Sequence, residues 1–133
     1  IKFLLMTKTP EQKWKALIQD YRKKCQQILN ISESIRYVGV INEYGRTLTG
    51  IIRPGIKPLL KSEDAKNEFF IISNLITLRI SQATILGDLD YALLKHKKVT
   101  LIIMPNDNAT FYITIDVNVK SINEIISKIK KIL

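Results

Sequence analysis

The sequence predicts an α+β fold: a five-stranded antiparallel sheet with helices on its faces, in the order helix, two strands, helix, three strands, helix. Three observations predict it. Two strand-length stretches flank the tight-turn signal Asn42-Glu43-Tyr44-Gly45. Three longer stretches carry apolar residues at three- and four-residue spacing, which is helical periodicity. A meander of three strand-length runs follows the middle one, so short connections make the sheet antiparallel and leave the helices to cover it.

Thr9-Pro10-Glu11-Gln12 reads as a helix start, with Thr9 as N-cap, proline at the first helical position and Gln12 completing a capping box. Trp14, Leu17, Ile18, Tyr21, Cys25, Ile28 and Leu29 then line one face. Asn30 to Ser34 is a polar break. Ile35 to Ile41 is the first strand and Arg46 to Ile52 its return across the hairpin. Gly39, in mid-strand, marks either close approach by a helix or a bulge. Arg53-Pro54-Gly55 stops the second strand, and Ile56 to Lys61 is a loop.

The central helix is expected over Ser62 to Ala83, with Ser62 as N-cap and Glu63 and Asp64 as first-turn acids. It is apolar nearly all the way round. Phe69, Ile72, Ile76, Ile80 and Ala83 make one stripe, and Phe70, Ile71, Leu75 and Leu78 widen it. Such a helix either lies under a sheet and is covered again by another element, or packs on a sheet and on a second copy of itself. Gly87 breaks the pattern. Leu89 to Lys95 alternates, with Leu89, Tyr91 and Leu93 on one side and Asp90 and Ala92 on the other. Val99 to Met104 is apolar throughout, as a strand buried on both faces would be. Pro105 to Asn108 is a turn, Thr110 to Asp116 the last strand, and Ser121 to Glu124 a capping box opening the last helix, whose face is Ile122, Ile125, Ile126, Ile129, Ile132 and Leu133.

At 133 residues, 46% hydrophobic and 25% charged, the composition is that of a globular domain. The expected organisation is a single domain over 9–133, preceded by residues 1–8 as a flexible arm or an extra edge strand. The apolar run IKFLLMT is far shorter than the ~20 residues of a membrane span and has no signal-peptide cleavage pattern. Net charge is +9. The lysines and arginines are scattered over Lys13 to Lys24, Lys95 to Lys98 and Lys128 to Lys131, with no interleaved aromatics and no recognition-helix or zinc-finger pattern, which argues against nucleic acid as the partner. The single cysteine, Cys25, excludes an internal disulfide and a cysteine-based zinc site, and fits a cytoplasmic protein.

The element order, with the hairpin IRYVGVINEYGRTLTGII before a long apolar helix and a three-strand meander, resembles the roadblock/LC7 fold, a relative of profilin-like and longin domains. The run Ile35 to Leu60, with VGVINEYG and GIKPLL, resembles a family of small archaeal proteins catalogued as a domain of unknown function, its signature being the hairpin plus Gly55, Lys57, Pro58 and Leu59. The roadblock resemblance implies a homodimer in which central helices pack antiparallel and sheets join edge to edge. The residues assigned to that interface are Phe69, Phe70, Ile72, Leu75, Ile76, Arg79, Ile80, Ala83, Tyr91 and Leu93. It also implies a scaffold or regulator of small Ras-like GTPases.

Chemistry is harder to find. No GxxxxGK[ST] or GxGxxG loop is present, so the chain has no phosphate-cradling signature. His96 is the only histidine, which rules out a histidine-based triad or multi-histidine metal centre. No cofactor is implied. Asp88 and Asp90 could suggest paired carboxylates, but salt bridging explains them as well. Arg79 either reaches the rim, pairs with an acid across a dimer, or faces a binding groove. The leading expectation is a non-enzymatic homodimeric interaction module. The others are a small-molecule sensor with a pocket between sheet and helices, and a weak lysine-based nucleic-acid binder.

Overall fold

The computed structural model describes residues 8–133, so the reading of the N-terminal segment as arm or edge strand lies outside the described residues. Helix α1 spans Pro10–Leu29, strands β1 and β2 span Ile35–Asn42 and Thr47–Ile52, helix α2 spans Ser62–Ile80, and a short helix α3 spans Ala83–Leu86. Strands β3, β4 and β5 span Ala92–Lys95, Thr100–Asn106 and Ala109–Ile115, and helix α4 spans Ile122–Ile132. The five strands form one antiparallel sheet in the order β2-β1-β5-β4-β3. The expected fold class and element order are those observed, with one short helix added.

Two cores divide the chain. On one face of the sheet, Val38, Val40, Ile102, Met104, Phe111, Ile113 and Ile115 pack with Tyr21, Cys25, Ile28 and Leu29 of α1 and Ile125, Ile126 and Ile129 of α4. On the other face, Ile41, Leu101, Ile103 and Tyr112 pack with Ile72, flanked by Tyr37, Phe69 and Ile76. α2 alone covers this second face, so part of it stays open.

The α1 capping box forms as expected: Gln12 N–H donates to Thr9 Oγ1 at 3.1 Å and Thr9 N–H to Gln12 Oε1 at 3.0 Å. The apolar face of α1 is shorter than its spacing implies. Trp14 and Leu17 are exposed, and the buried residues begin at Tyr21.

At the β1–β2 turn, Asn42 Oδ1 accepts from the N–H groups of Tyr44 and Arg46, both at 2.9 Å, and Gly45 takes the left-handed conformation at φ +81°. The glycine in mid-strand has a different role from either expected one. The register shift falls at Val40/Ile41, and Gly39 pairs with Gly50 beneath the Tyr37 ring; an added Cβ at Gly39 would lie 2.7 Å from Tyr37 Cζ. The close approach of a helix occurs instead at Gly45, where an added Cβ would lie 2.8 Å from Phe69 O.

Five other expectations are corrected. Lys61 rather than Ser62 is the N-cap of α2, without a side-chain cap. The helix also stops at Ile80, and Ala83 opens α3 after a turn in which Ser81 Oγ donates to Leu78 O. Ser121 precedes α4 but makes no side-chain cap, because its φ of −133° and ψ of 67° lie off the extended geometry that aims a capping oxygen at the helix. β3 begins only at Ala92, while β4 runs through Pro105 and Asn106, leaving Asp107 and Asn108 as the turn, with Asp107 at φ +56°. Proline is tolerated there because β3 pairs with β4 only up to Ile103, so the outer side of β4 is free at Pro105.

Candidate functional site

The residues expected to form an interface split into three groups. Ile72 is 1% exposed and belongs to the protomer's own core, with Phe69 and Ile76 half-buried beside it. This inward stripe holds α2 on the sheet and offers no second surface at Ile72. Outward, Phe70, Ile71 and Leu78 are 58%, 60% and 71% exposed with Leu75 half-buried beside them, while Ile80, 66% exposed, lies on the inward stripe at the helix end, and Ile85 and Leu86 of α3 are exposed as well. The spacing of Ile71, Leu75 and Leu78 is four then three, the interval of a helix-pairing seam. Ala83 is half-buried at the α2–α3 junction.

Tyr91 and Leu93 fall elsewhere. Leu93 pairs with Ile102, whose side chain lies in the α1–α4 core, so Leu93 and Tyr91 are on the sheet face opposite α2. The Lys130 ammonium of α4 lies 5.2 Å over the Tyr91 ring and also pairs with Asp90, fulfilling the expected salt-bridge role for that acid. Leu93 remains exposed on β3, the short edge strand.

Arg79 is exposed in the last turn of α2, where its charge complements the helix dipole. It shares a small hollow with Gln82, Leu86 and Asp88, and among the described residues it makes no ion pair within 4.0 Å. Its exposure removes the buried-charge cost that its apolar neighbours in the sequence imply.

The opening on the sheet's second face is a groove of about 750 Å³ between the sheet, the N-terminal half of α2 and the 56–60 loop. Its floor is an aromatic cluster: Phe69 meets Tyr112 edge-on at 4.9 Å between centroids and Tyr37 at 6.5 Å. Leu101, Val99, Ile52, Ile56, Leu59 and Leu60 complete the apolar lining. Arg36, Lys57, His96, Lys97 and Lys98 also line it, against a single acid, Glu68. Arg36 is committed elsewhere: it donates to Asp116 Oδ1 at 3.1 Å and to Lys57 O at 3.0 Å, which ties the loop to β1. Burial, and then the Glu68 carboxylate, push the Tyr112 phenol upward.

Sequence reasoning offered a pocket between sheet and helices as an alternative but assigned no residue to it. Its lining comes from a loop, a helix, a turn and three strands, and no local pattern announces that they converge. Among the described residues, no cluster of His, Cys, Asp and Glu is placed to hold a metal ion, and no helix is long and apolar enough to cross a membrane.

No protein-family model matches the chain, and no curated protein matches it. Solved structures do. The roadblock/LC7 domain of Streptomyces avermitilis superposes with a TM-score of 0.63 at 9% identity, covering 83% of this chain and 88% of that one. The gliding protein MglB of Thermus thermophilus gives 0.63 at 11% identity, over 86% and 89%. An MglB in a tetrameric arrangement gives 0.68 at 13%, over 85% and 84%. At such identities the likeness is one of backbone architecture, and on it, together with the sheet order and helix placement above, the chain has the roadblock/LC7 fold.

Proposed function

We propose that the chain is a non-enzymatic interaction module that forms a homodimer through the outward face of α2 and presents the joined surface to a protein partner. The observation that carries this reading is the outward set of Phe70, Ile71 and Leu78, each more than half exposed on one side of a single helix. Fully burying side chains of this kind stabilises by ~1.5–3 kcal/mol each, and soluble monomers avoid leaving such contiguous patches in water. A second copy is the natural cover, since the Ile71-Leu75-Leu78 spacing matches itself across a two-fold axis. One structure of the same fold is an MglB in a tetrameric arrangement, a precedent for self-association of this architecture. The exposed edge strand β3, carrying Leu93, is where the sheets would adjoin. The roadblock resemblance extends the proposal to a small Ras-like GTPase as the partner.

Light scattering over a concentration series tests the dimer. Wild-type protein is expected at twice the chain mass, and Phe70→Glu or Leu78→Glu at the chain mass with unchanged circular dichroism. A wild-type protein that stays monomeric at every concentration overturns the reading. A pull-down from native extract with wild-type and Phe70→Glu protein side by side tests the partner: a GTPase retained only by the dimer supports it, and a GTPase absent from both sinks that part.

A further inference from the structure

The groove under the N-terminal half of α2 has the dimensions of a ligand site, since small-molecule pockets run to ~300–1,000 Å³ and are mostly apolar with a few polar groups that orient the ligand. Its charges are not spread evenly. Ile35 at the start of β1 and Thr100 at the start of β4 both pair with Ile115 at the end of β5, so the β3–β4 turn and the loop beyond β2 lie at one end of the sheet. Lys97 and Lys98 stand on that turn and Lys57 on that loop. Among the described residues none of these three lysines makes an ion pair within 4.0 Å. Tyr37, Phe69 and Tyr112 form the floor. The groove is therefore amphiphilic from rim to floor, with the exposed Lys57, Lys97 and Lys98 at its rim and the buried Leu101 and Tyr112 beneath.

We propose that this groove binds a free aliphatic carboxylate, a medium- to long-chain fatty acid in monomeric form, with the chain running inward between Leu59, Leu60 and Leu101 and the carboxylate held at the mouth by Lys57, Lys97 and Lys98. An anionic head balances the unpaired lysines, and a flexible chain covers the apolar majority of the lining, with Glu68 the single acid in the groove. The site lies on the sheet side of α2, away from the exposed Ile71-Leu78 face, so it does not rest on the self-association reading. Ligand titration and light scattering report on the two separately.

The test is calorimetric titration of the full chain with dodecanoate below its micelle concentration, with dodecanol as the uncharged comparison and anionic phospholipid vesicles as a third arm. Saturable one-to-one binding of dodecanoate is expected. Lys57→Glu/Lys97→Glu/Lys98→Glu weakens it by about tenfold or more while leaving dodecanol binding unchanged, the effect of reversing three partly screened charges. Leu59→Asp/Leu60→Asp removes binding of both. Each of these leucines is more than 40% exposed, at 56% and 42%, so the variant should keep its fold, and circular dichroism checks that it does. Absence of saturable dodecanoate binding overturns the proposal. So does binding that is indifferent to the lysine reversal, or lysine-dependent association with vesicles without binding of the monomeric acid.

Discussion

Gly45 lies against the backbone of Phe69, so closely that an added Cβ would sit 2.8 Å from the Phe69 carbonyl oxygen and 2.8 Å from Phe70 Cα. The hairpin tip thus rests on α2 and fixes its height above the sheet beside Phe69 of the groove floor. Two demands meet at this glycine: a positive φ of +81° and an absence of side chain. Gly55, at φ +83°, has only the first demand, since nothing lies within 4 Å of its added Cβ. Gly55→Ala is expected to cost ~1 kcal/mol and Gly45→Ala ~2–4 kcal/mol, measured by urea unfolding. Equal costs would show that the hairpin tip does not press on the helix.

Neighbouring isoleucines on α2 separate the two sides of the helix. Ile72 is 1% exposed and Ile71 60% exposed. Ile72→Ala should lower stability by ~2–4 kcal/mol through the cavity it leaves. Ile71→Ala should change the unfolding free energy measured at high dilution by less than ~0.5 kcal/mol, yet shift the monomer–dimer midpoint to higher concentration. A stability loss at Ile71 as large as that at Ile72 would place Ile71 in the protomer core.

Arg53 does more than end the second strand. Its Nε donates to Ile35 O at 2.7 Å, and its Nη2 donates to Leu29 O at 2.6 Å and Ser32 O at 2.7 Å, so one guanidinium ties the C-terminal end of α1 to the entry of β1. Arg53→Ala removes three hydrogen bonds to backbone carbonyls, of which Ser32 O keeps the Ile35 N–H at 3.2 Å, and is expected to cost ~2–4 kcal/mol, and Arg53→Lys should restore less than half, because an ammonium cannot reproduce the fork. Thermal melts of the two variants make the comparison.

The buried thiol sets the alkaline limit. Burial pushes Cys25 from 9.0 up to about 12, and burial also raises the phenols of Tyr21, Tyr37 and Tyr112 above their usual 10.0. Groups held protonated in the fold but ionised in the unfolded chain stabilise fully below the unfolded value and lose that contribution as pH rises. Stability should therefore be level up to about pH 9 and then fall, by ~1.4 kcal/mol per pH unit for each such group. Between pH 9 and 10 the slope belongs to Cys25 alone, so Cys25→Ala should flatten it there and leave the steeper fall above pH 10. A slope unchanged by the substitution would assign the effect to other groups. In the native state Cys25 should also resist thiol reagents at pH 8.

The sequence by itself determined the α+β class, the antiparallel pairing, the Thr9 cap, the Asn42–Gly45 turn and the excess of apolar surface on the central helix. All of these rest on local periods and turn chemistry, which act within a few residues. What only the tertiary structure decided was which side of each apolar element is covered. Spacing placed Phe69, Ile72, Ile76 and Ile80 on one stripe, but the helix leaves the sheet before Ile80, so the first three pack inward and the last faces water. The roadblock resemblance also grouped Tyr91 and Leu93 with the helix, whereas strand register turned them to the opposite face, because neighbouring positions on a strand point to opposite sides and only the pairing partner says which side is which. The groove belongs wholly to this second kind of information. Lys57, Lys97 and Tyr112 are far apart in the chain, and sheet register brings them to one opening.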